Sequence, residues 1–319
     1  MINANNVVVF DEAGIPSIMV RFTKEKNSDL FPGGSDTTHP MFIIDGKEVD
    51  EIFISKYPNT IINGKAYSLP YMKPATGLTN EQAAEACFSK GPGWHLMTLP
   101  ESAFLVLDSK RKGTPPHGNT KFGSYHADPS ERGEVCAYGG MTLAGSGPAT
   151  WAHDHTPYGV QDLCGNVWEM IAGLRLMNGE IQVIENNNAA NPVDTSEKSK
   201  FWTPVLLDGK PTRYAVDDGS IRLTNEESGE DWDGCRWADV EADIEAPELL
   251  KALSLFPASD AENDGWLWVD TEGERLPYRG ADWDNSSSAG VGALKLDNPR
   301  SIVYRDFGFR AAFYRKAEN

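Results

Sequence analysis

The C-terminal segment constrains this chain most, because a regular frame of small and apolar residues alternates there with polar residues of no common chemistry. Residues 279–313 are RGADWDNSSSAGVGALKLDNPRSIVYRDFGFRAAF. The frame residues are of types that pack in a core: Gly280, Trp283, Ala289, Gly290, Ala293, Leu294, Leu296, Gly308, Phe309 and Arg310. The interposed residues are Asp282, Asp284, Asn285, Ser286, Ser288, Asp297, Asn298, Ile302, Tyr304, Arg305 and Asp306. Paratopes use Tyr, Ser and Asn for adaptable contacts, so this mixture predicts a surface built to be varied. A polar C-terminal loop is the alternative.

Length and charge limit the classes of partner. The chain has 319 residues, 40% of them hydrophobic, which is enough for one large domain or two smaller ones. Its formal net charge of −18 argues against nucleic acids and anionic membranes, which need clustered Lys and Arg. No apolar run approaches the roughly 20 residues that cross a bilayer, so we expect no membrane insertion. The first residues lack the pattern of a secretion signal, and we expect synthesis in the cytoplasm.

The cysteines and histidines give little evidence of metal or redox chemistry. Four cysteines, Cys87, Cys136, Cys164 and Cys235, are scattered without CxxC or other ligand spacing, which predicts buried thiols. The only dense histidine cluster is His153-Asp154-His155. It lacks a third ligand at clear spacing, so loop hydrogen bonding is the favoured interpretation and a metal site the alternative.

The first forty residues predict a short β-rich segment. Extended patterns at 7–10 and 17–22 flank Gly14 and Pro16, and residues 24–40 have loop composition. Beyond them, Asp45-Gly46 suits a hairpin turn. We therefore place an N-terminal segment at 1–40 and the main domain at 41–319.

Two helices have clear boundary residues. Thr79 with Gln82 and Thr98 with Glu101 have capping-box spacing, and apolar residues follow each pair. The sequence therefore predicts one helix ending near Lys90-Gly91 and a second ending near residues 110–113. Residues 113–159, rich in Gly, Pro and His, predict ordered loops with short strands.

Residues 158–170, YGVQDLCGNVWEM, form the second compact motif. Gly165 permits a turn that a Cβ would resist, and Asn166 can bond neighbouring backbone groups. We expect Trp168 to fill a core and Glu169 to hold a loop.

These motifs carry a resemblance. Together with GWHLMTLPESAFL before them, and RGADW and GFRAAF after, they resemble the formylglycine-generating-enzyme type of C-type lectin fold over about residue 41 to the end. The resemblance implies an α+β fold with a large insertion before the C-terminal segment. In enzymes of this family, a calcium ion sits against the matching loop. Here its ligands would be Glu169 and the carbonyls of Cys164, Gly165 and Val167. The alternative is that Glu169 only accepts hydrogen bonds, and no cofactor is required.

A narrower resemblance concerns residues 279–313, which are similar to the variable region of target proteins of diversity-generating retroelements, including virus- and phage-associated members. Such systems randomise template adenines, often in Asn codons. Most interposed residues here are reachable from an Asn codon, whereas Lys295 and Val303 depart from that scheme. The resemblance implies that the eleven interposed residues bind a ligand, such as a protein or glycan receptor on a cell surface. It implies display on a virion or other particle, and leaves the oligomeric state open.

Two other functions stay open from the fold resemblance. Formylglycine-generating oxidases use a cysteine pair near the end of the chain, with one member just after the final Phe-Arg. Here Phe309-Arg310 is followed by Ala311-Ala312, and no cysteine lies beyond Cys235. An oxidase is therefore disfavoured, because the redox nucleophile is missing. A calcium-dependent carbohydrate-binding lectin is the second alternative.

Residues 173–274 form an insertion that the core fold does not obviously need. Between 216 and 275 there are 18 acidic and 4 basic residues. Five tryptophans in the insertion argue against disorder, because disordered acidic segments are poor in aromatic residues: Trp202, Trp232, Trp237, Trp266 and Trp268. A short helix is predicted from Pro247 to Phe256. We expect the insertion to frame part of the binding face, with simple padding of the core as the alternative.

Overall fold

The structure is a computed structural model that describes residues 5–136, 139–259, 261 and 264–316. Most regular structure in these ranges is β, with four α-helices. The helices are α1 (Asn27–Leu30), α2 (Asn80–Phe88), α3 (Leu99–Arg111) and α4 (Glu248–Ala252). The strands up to the insertion are β1 (Asn6–Phe10), β2 (Pro16–Thr23), β3 (Ile43–Ile44), β4 (Lys47–Glu48), β5 (Glu51–Ser55), β6 (Thr60–Ile62), β7 (Lys65–Tyr67), β8 (Trp94–Leu96) and β9 (Trp168–Met170).

The remaining strands lie in the insertion and the C-terminal segment. They are β10 (Leu174–Met177), β11 (Glu180–Ile184), β12 (Trp202–Pro204), β13 (Leu206–Leu207), β14 (Lys210–Pro211), β15 (Arg213–Asp217), β16 (Ser220–Thr224), β17 (Trp232–Arg236), β18 (Glu241–Ala242), β19 (Trp266–Asp270), β20 (Glu274–Arg279), β21 (Leu294–Asn298), β22 (Phe307–Phe309) and β23 (Ala311–Phe313). The α+β class expected from the sequence is confirmed, with β structure dominant. No helix in the described ranges is both long and apolar enough to span a bilayer.

The smaller of the two main sheets joins the two ends of the chain. Its strand order is β1-β2-β5-β23-β8, so the last strand lies between two strands from the first third of the sequence. Ala312 is paired with Ile54 on one side and with His95 on the other. The predicted strands at 7–10 and 17–22 are present as β1 and β2. They therefore share a sheet with the main domain.

The larger sheet carries the C-terminal segment in its middle. Its main path runs β17-β19-β21-β20-β10-β11-β15-β16-β18, and β9 pairs with both β20 and β22. Strands β10 to β19 come from the insertion, which is ordered as expected. Apolar side chains of the insertion, including Leu176, Tyr214 and Leu250, are buried in the same hydrophobic cluster as Phe104 of α3.

Both predicted capping boxes are present. The N–H of Gln82 donates to Oγ1 of Thr79 at 3.2 Å, and the N–H of Thr79 donates to Oε1 of Gln82 at 2.9 Å. At the start of α3, the N–H of Thr98 donates to Oε2 of Glu101 at 2.9 Å. Because residues 99–109 are all buried, α3 lies in the centre of the core.

Two predictions of local structure are wrong. Residues 24–40, predicted as a loop, contain α1. The guanidinium of Arg111, at the end of α3, donates a hydrogen bond to the carbonyl of Asp29 in α1. The helix predicted from Pro247 to Phe256 is shorter, because Ser254 has a φ of +50° and the helix ends at Ala252. A left-handed residue cannot continue a right-handed helix.

Candidate ligand-binding site

The segment predicted to be variable, residues 279–313, crosses the larger sheet twice and exposes two loops. We call it the variable region. It leaves β20 at Arg279 and forms a loop that includes a 3-10 turn at Ser286–Ser288. It returns along β21, and a second loop at 299–306 leads into β22, which runs parallel to β9. Both ends of the variable region are therefore held in sheets, while its loops reach the surface.

The frame residues of the variable region are buried, as their types predicted. Nine of the ten are buried and Ala289 is half-buried. Gly280 shows why glycine is required: its φ is +93°, and a Cβ there would lie 2.5 Å from the carbonyl oxygen of Leu163. A side chain at this position would push β20 away from the 158–170 loop.

Nine of the eleven interposed residues reach solvent. Asp284, Tyr304 and Arg305 are exposed, and Asn285, Ser286, Ser288, Asp297, Ile302 and Asp306 are half-buried. Asp282 and Asn298 are buried, so the expectation that every interposed side chain is exposed is wrong for these two.

Asp282 and Asn298 are buried because their short polar side chains bond neighbouring groups of the variable region. Oδ1 of Asp282 accepts the N–H of Asp284 at 3.0 Å, and the N–H of Asp282 donates to Oδ1 of Asn285 at 2.8 Å. Nδ2 of Asn298 donates to Oδ1 of Asp297 at 2.7 Å. Asx side chains commonly stabilise turns in this way, so these residues shape the surface.

Asp282, Asp284 and Asp306 form an acidic cluster between the two loops. Burial and a hydrogen bond with the Asp306 side chain raise the pKa of Asp282 to about 8, and the nearby Asp284 carboxylate acts in the same direction. Asp282 therefore takes up a proton more readily than an exposed aspartate does. A neutral carboxyl can donate a hydrogen bond to its neighbours, which a carboxylate cannot.

The insertion contributes an exposed tryptophan beside the variable loops. Strand β19 pairs with β21, and β17 pairs with the far side of β19. Trp232 of β17 is 55% exposed, and its Nε1 donates to Oδ2 of Asp297 at 3.0 Å. Nζ of Lys295 lies 2.8 Å from the same oxygen. Two strands of the insertion thus border the candidate binding face.

Trp268 forms part of the same face. A Cβ at Gly234 would lie 2.4 Å from Cδ1 of Trp268, so only glycine leaves room for that indole. Trp266 stacks on Trp268 with ring centroids 5.9 Å apart. Sequence reasoning missed the role of β17. The alternation of Trp232, Gly234 and Arg236 indicates a strand but does not show which strand it pairs with.

Phe122 borders the first loop of the variable region and was also missed by sequence reasoning. Its N–H donates to the carbonyl of Trp283 at 2.7 Å, and its side chain is 57% exposed. Its φ of +47° is uncommon for a bulky residue. An exposed ring in a left-handed turn gives no periodic pattern, so the sequence contained no usable signal.

The 158–170 motif packs against the start of the variable region and against the 113–159 loops. Asn166 has a φ of +67°, and its Oδ1 accepts the N–H of Thr142 at 2.8 Å. Its Nδ2 donates to the carbonyl of Thr142 at 3.2 Å. Trp168 is buried, as expected. The motif therefore ties the 113–159 loops to the larger sheet.

Glu169 is bound by Arg310. Oε2 of the buried carboxylate accepts Nε of Arg310 at 2.6 Å, and Oε1 contacts Nη2 of the same guanidinium. The Gly165 carbonyl accepts the N–H of Val167 at 2.9 Å. Calcium prefers six to eight oxygen ligands. Because a fixed cation already contacts both Glu169 oxygens, this arrangement does not fit a calcium ion bound by Glu169 and the carbonyls of Cys164, Gly165 and Val167.

The side chains of His153, Asp154 and His155 each bond a different partner and do not form a common metal site. Nδ1 of His153 accepts the N–H of Val160, Asp154 bonds Thr156, and Nε2 of His155 bonds the carbonyl of Pro115. In the ranges that the structure describes, no group of three or more His, Cys, Asp or Glu side chains is arranged to hold a metal ion.

The four cysteines are unpaired, and burial raises the pKa of the Cys164 thiol to about 12. Ala311 and Ala312, at the position of the oxidase cysteine, are fully buried in β23.

The chain has a structural likeness among solved proteins but no match to a protein-family model. No protein-family model matches the chain, and no curated protein matches it. Among solved structures, the chain is similar to Treponema denticola variable protein 1, with 11% sequence identity and a TM-score of 0.38. The alignment covers 98% of this chain and 99% of that one.

Proposed function

We propose that this chain is a ligand-binding target protein of a diversity-generating retroelement, with a C-type lectin fold of the formylglycine-generating-enzyme type. The observation that carries the proposal is the separation within residues 279–313 between a buried frame and solvent-reaching interposed residues. Changes at the nine solvent-reaching interposed positions alter the surface and leave the core packing in place. Surface changes away from special features usually move stability by no more than about 0.5 kcal/mol.

The recognition surface combines variable and fixed residues. Tyr304, 47% exposed, and the exposed Arg305 are of types that dominate interface energetics. Trp232 and Phe122 add aromatic area from outside the variable region. We propose that the variable residues select the ligand and that these two rings contribute contacts common to all variants. The ligand is a protein or glycan receptor on a cell surface, and the chain is displayed on a virion or other particle.

The oxidase and the calcium-dependent lectin are less well supported. The oxidase lacks a cysteine at the required position, and the buried Cys164 thiol is poorly suited to be a nucleophile. The lectin would need a metal site, whereas Glu169 is bound by Arg310. A binding function through the variable loops requires neither a cofactor nor a metal.

A pair of displayed libraries tests the proposal. One library is randomised at the nine solvent-reaching positions, and the matched library at the nine buried frame positions. Each is challenged with protease to measure the folded fraction. We expect most members of the first library and few of the second to survive. Equal survival would show that residues 279–313 are not built for variation.

The neighbouring DNA gives an independent test. A reverse-transcriptase gene and an imperfect repeat of the segment encoding 279–313, differing at adenines, are expected. A repeat that differs equally at all four bases would contradict this mode of variation.

A further inference from the structure

Strand β1 forms an open edge of the smaller sheet. It pairs with β2 over Asn6–Phe10 in an unbroken register, and no strand in the described ranges pairs with its other side. The opposite edge of this sheet, β8, is buried along its whole length. The β1 edge is therefore accessible to another strand, whereas the β8 edge is not.

Hydrogen bonds around β2 show which backbone groups of β1 point outward. The N–H of Arg21 donates to the carbonyl of Asn5 at 2.7 Å. Ile18 lies opposite Val8, but both of its backbone groups point away from β1. Its N–H donates to the carbonyl of Ser68, and its carbonyl accepts the N–H of Lys56. Antiparallel pairs alternate between hydrogen-bonded and non-bonded. Val7 and Val9 thus bond β2, while the N–H and carbonyl groups of Asn6, Val8 and Phe10 face outward.

The side chains at this edge are apolar and exposed. Val8 is 54% exposed and Phe10 is 60% exposed. Residues 1–10 contain no charged residue and no proline, and the register with β2 has no bulge. Natural proteins usually block open edges with lysine, proline or a bulge, because unpaired backbone groups recruit another strand.

We propose that a second copy of this chain pairs with β1 in antiparallel orientation, about a twofold axis at Val8. Val8 of one copy then lies opposite Val8 of the other, and each Asn6 lies opposite a Phe10. All three pairs place outward-facing backbone groups against each other, so every pair is of the hydrogen-bonded type.

Three features favour a second copy over an unrelated strand. The register is self-complementary, as a twofold interface requires. The strand brings no charge to the interface, although each chain carries −18 overall. The pairing also joins two five-stranded sheets into one continuous sheet without altering either. The proposal does not depend on the binding function of the variable face.

Sedimentation of the full chain over a concentration series, up to about 100 μM, tests the proposal in a range that includes weak association. We expect the mass to approach twice the 35.0 kDa of one chain as the concentration rises. Higher salt should strengthen the pairing by screening the repulsion between two acidic chains. A mass of 35.0 kDa throughout, or an assembly of three chains, would overturn the proposal.

Two variants locate the interface at β1. Val8→Pro removes an outward-facing N–H and keeps the bonds to β2, while Val8→Lys keeps the backbone and adds a charge. Both should weaken the pairing at least about tenfold, because Val8 lies on the twofold axis and proline or lysine at an open edge opposes the addition of a strand. Val135→Lys is the matched control, because Val135 is a valine of nearly equal exposure, 52%, outside β1. Dimers of unchanged strength in both Val8 variants would contradict the proposal.

Hydrogen exchange of the unmodified chain gives a readout that does not rely on the variants folding. The amides of Val8 and Phe10 should exchange more slowly at high than at low protein concentration. Exchange that is independent of concentration would exclude pairing through this edge.

Discussion

Arg310, a frame residue of the variable region, contacts both carboxylate oxygens of Glu169, 141 residues earlier in the chain, in a buried ion pair. Its guanidinium also donates to the carbonyls of Ser55 at 2.9 Å and Gln161 at 3.0 Å. Strands β5, β9 and the end of β22 therefore meet at one side chain. The pair links the smaller sheet to the larger one.

Breaking this pair should strongly destabilise the fold. Glu169→Gln leaves the Arg310 guanidinium buried without its counter-charge, which typically costs about 3–5 kcal/mol. Chemical denaturation measures the loss. Arg236→Ala is the control, because its partner Asp239 forms an exposed pair with it, worth about 1 kcal/mol or less. Similar losses in the two variants would show that Glu169 is not central to the core.

Trp283 and Trp168 should behave as core residues. Both are buried, and Trp→Ala at such sites usually costs about 3–5 kcal/mol. The exposed Trp232 provides a control, since Trp232→Ala removes little buried area. Thermal melts of the three variants compare them directly. A Trp283→Ala variant that melts like the unmodified chain would contradict the core assignment.

Stability and binding should separate across the variable face. Alanine at Tyr304 or Arg305 is expected to change the free energy of unfolding by only about 0.5 kcal/mol. The same changes should weaken ligand binding by about 2 kcal/mol or more, measured on the receptor or glycan retained from an array. Alanine at Leu294 or Phe309 should unfold the protein instead. Unfolding by the first pair as readily as by the second would identify the segment as ordinary core.

Asp282 should give the protein a specific dependence on pH. Its folded-state pKa is raised to about 8, so the folded state holds the proton more tightly than the unfolded chain. The resulting stability is complete below about pH 3.9 and is lost as the pH rises through about 8.

Comparison with Asp282→Asn isolates this contribution. The unmodified chain should lose stability relative to the variant between pH 4 and 8, by no more than about 1.4 kcal/mol per pH unit. Asp208→Asn, in an exposed turn outside the acidic cluster, is the control for the substitution itself. Parallel curves for the chain and Asp282→Asn would show that Asp282 ionises normally.

The chain should lack aldehyde-forming oxidase activity. A cysteine-containing sulfatase peptide incubated with the protein, copper and oxygen should keep its mass, because no cysteine follows Arg310. Time-dependent formation of formylglycine, detected by mass spectrometry, would overturn the proposed binding function. A formylglycine-generating oxidase assayed in parallel is the positive control.

The sequence predicted the frame of the variable region better than its surroundings. Gly280, Leu294 and Phe309 are recognisable because buried positions restrict residue type. The burial of Asp282 was not predictable, since a short polar residue in a loop can face solvent or bond its own backbone. The place of Trp232 depends on the pairing of β17 with β19, a contact between strands that local patterns do not encode.

The position of β23 between β5 and β8 makes the smaller sheet depend on the last residues of the variable region. A stop codon or a shifted reading frame within the segment encoding 279–313 removes β23 and opens the smaller sheet between two of its strands. A chain that is truncated or frame-shifted there cannot complete this sheet. Substitutions in the surface loops leave this sheet intact, so under the proposed function folding would separate full-length variants from truncated ones.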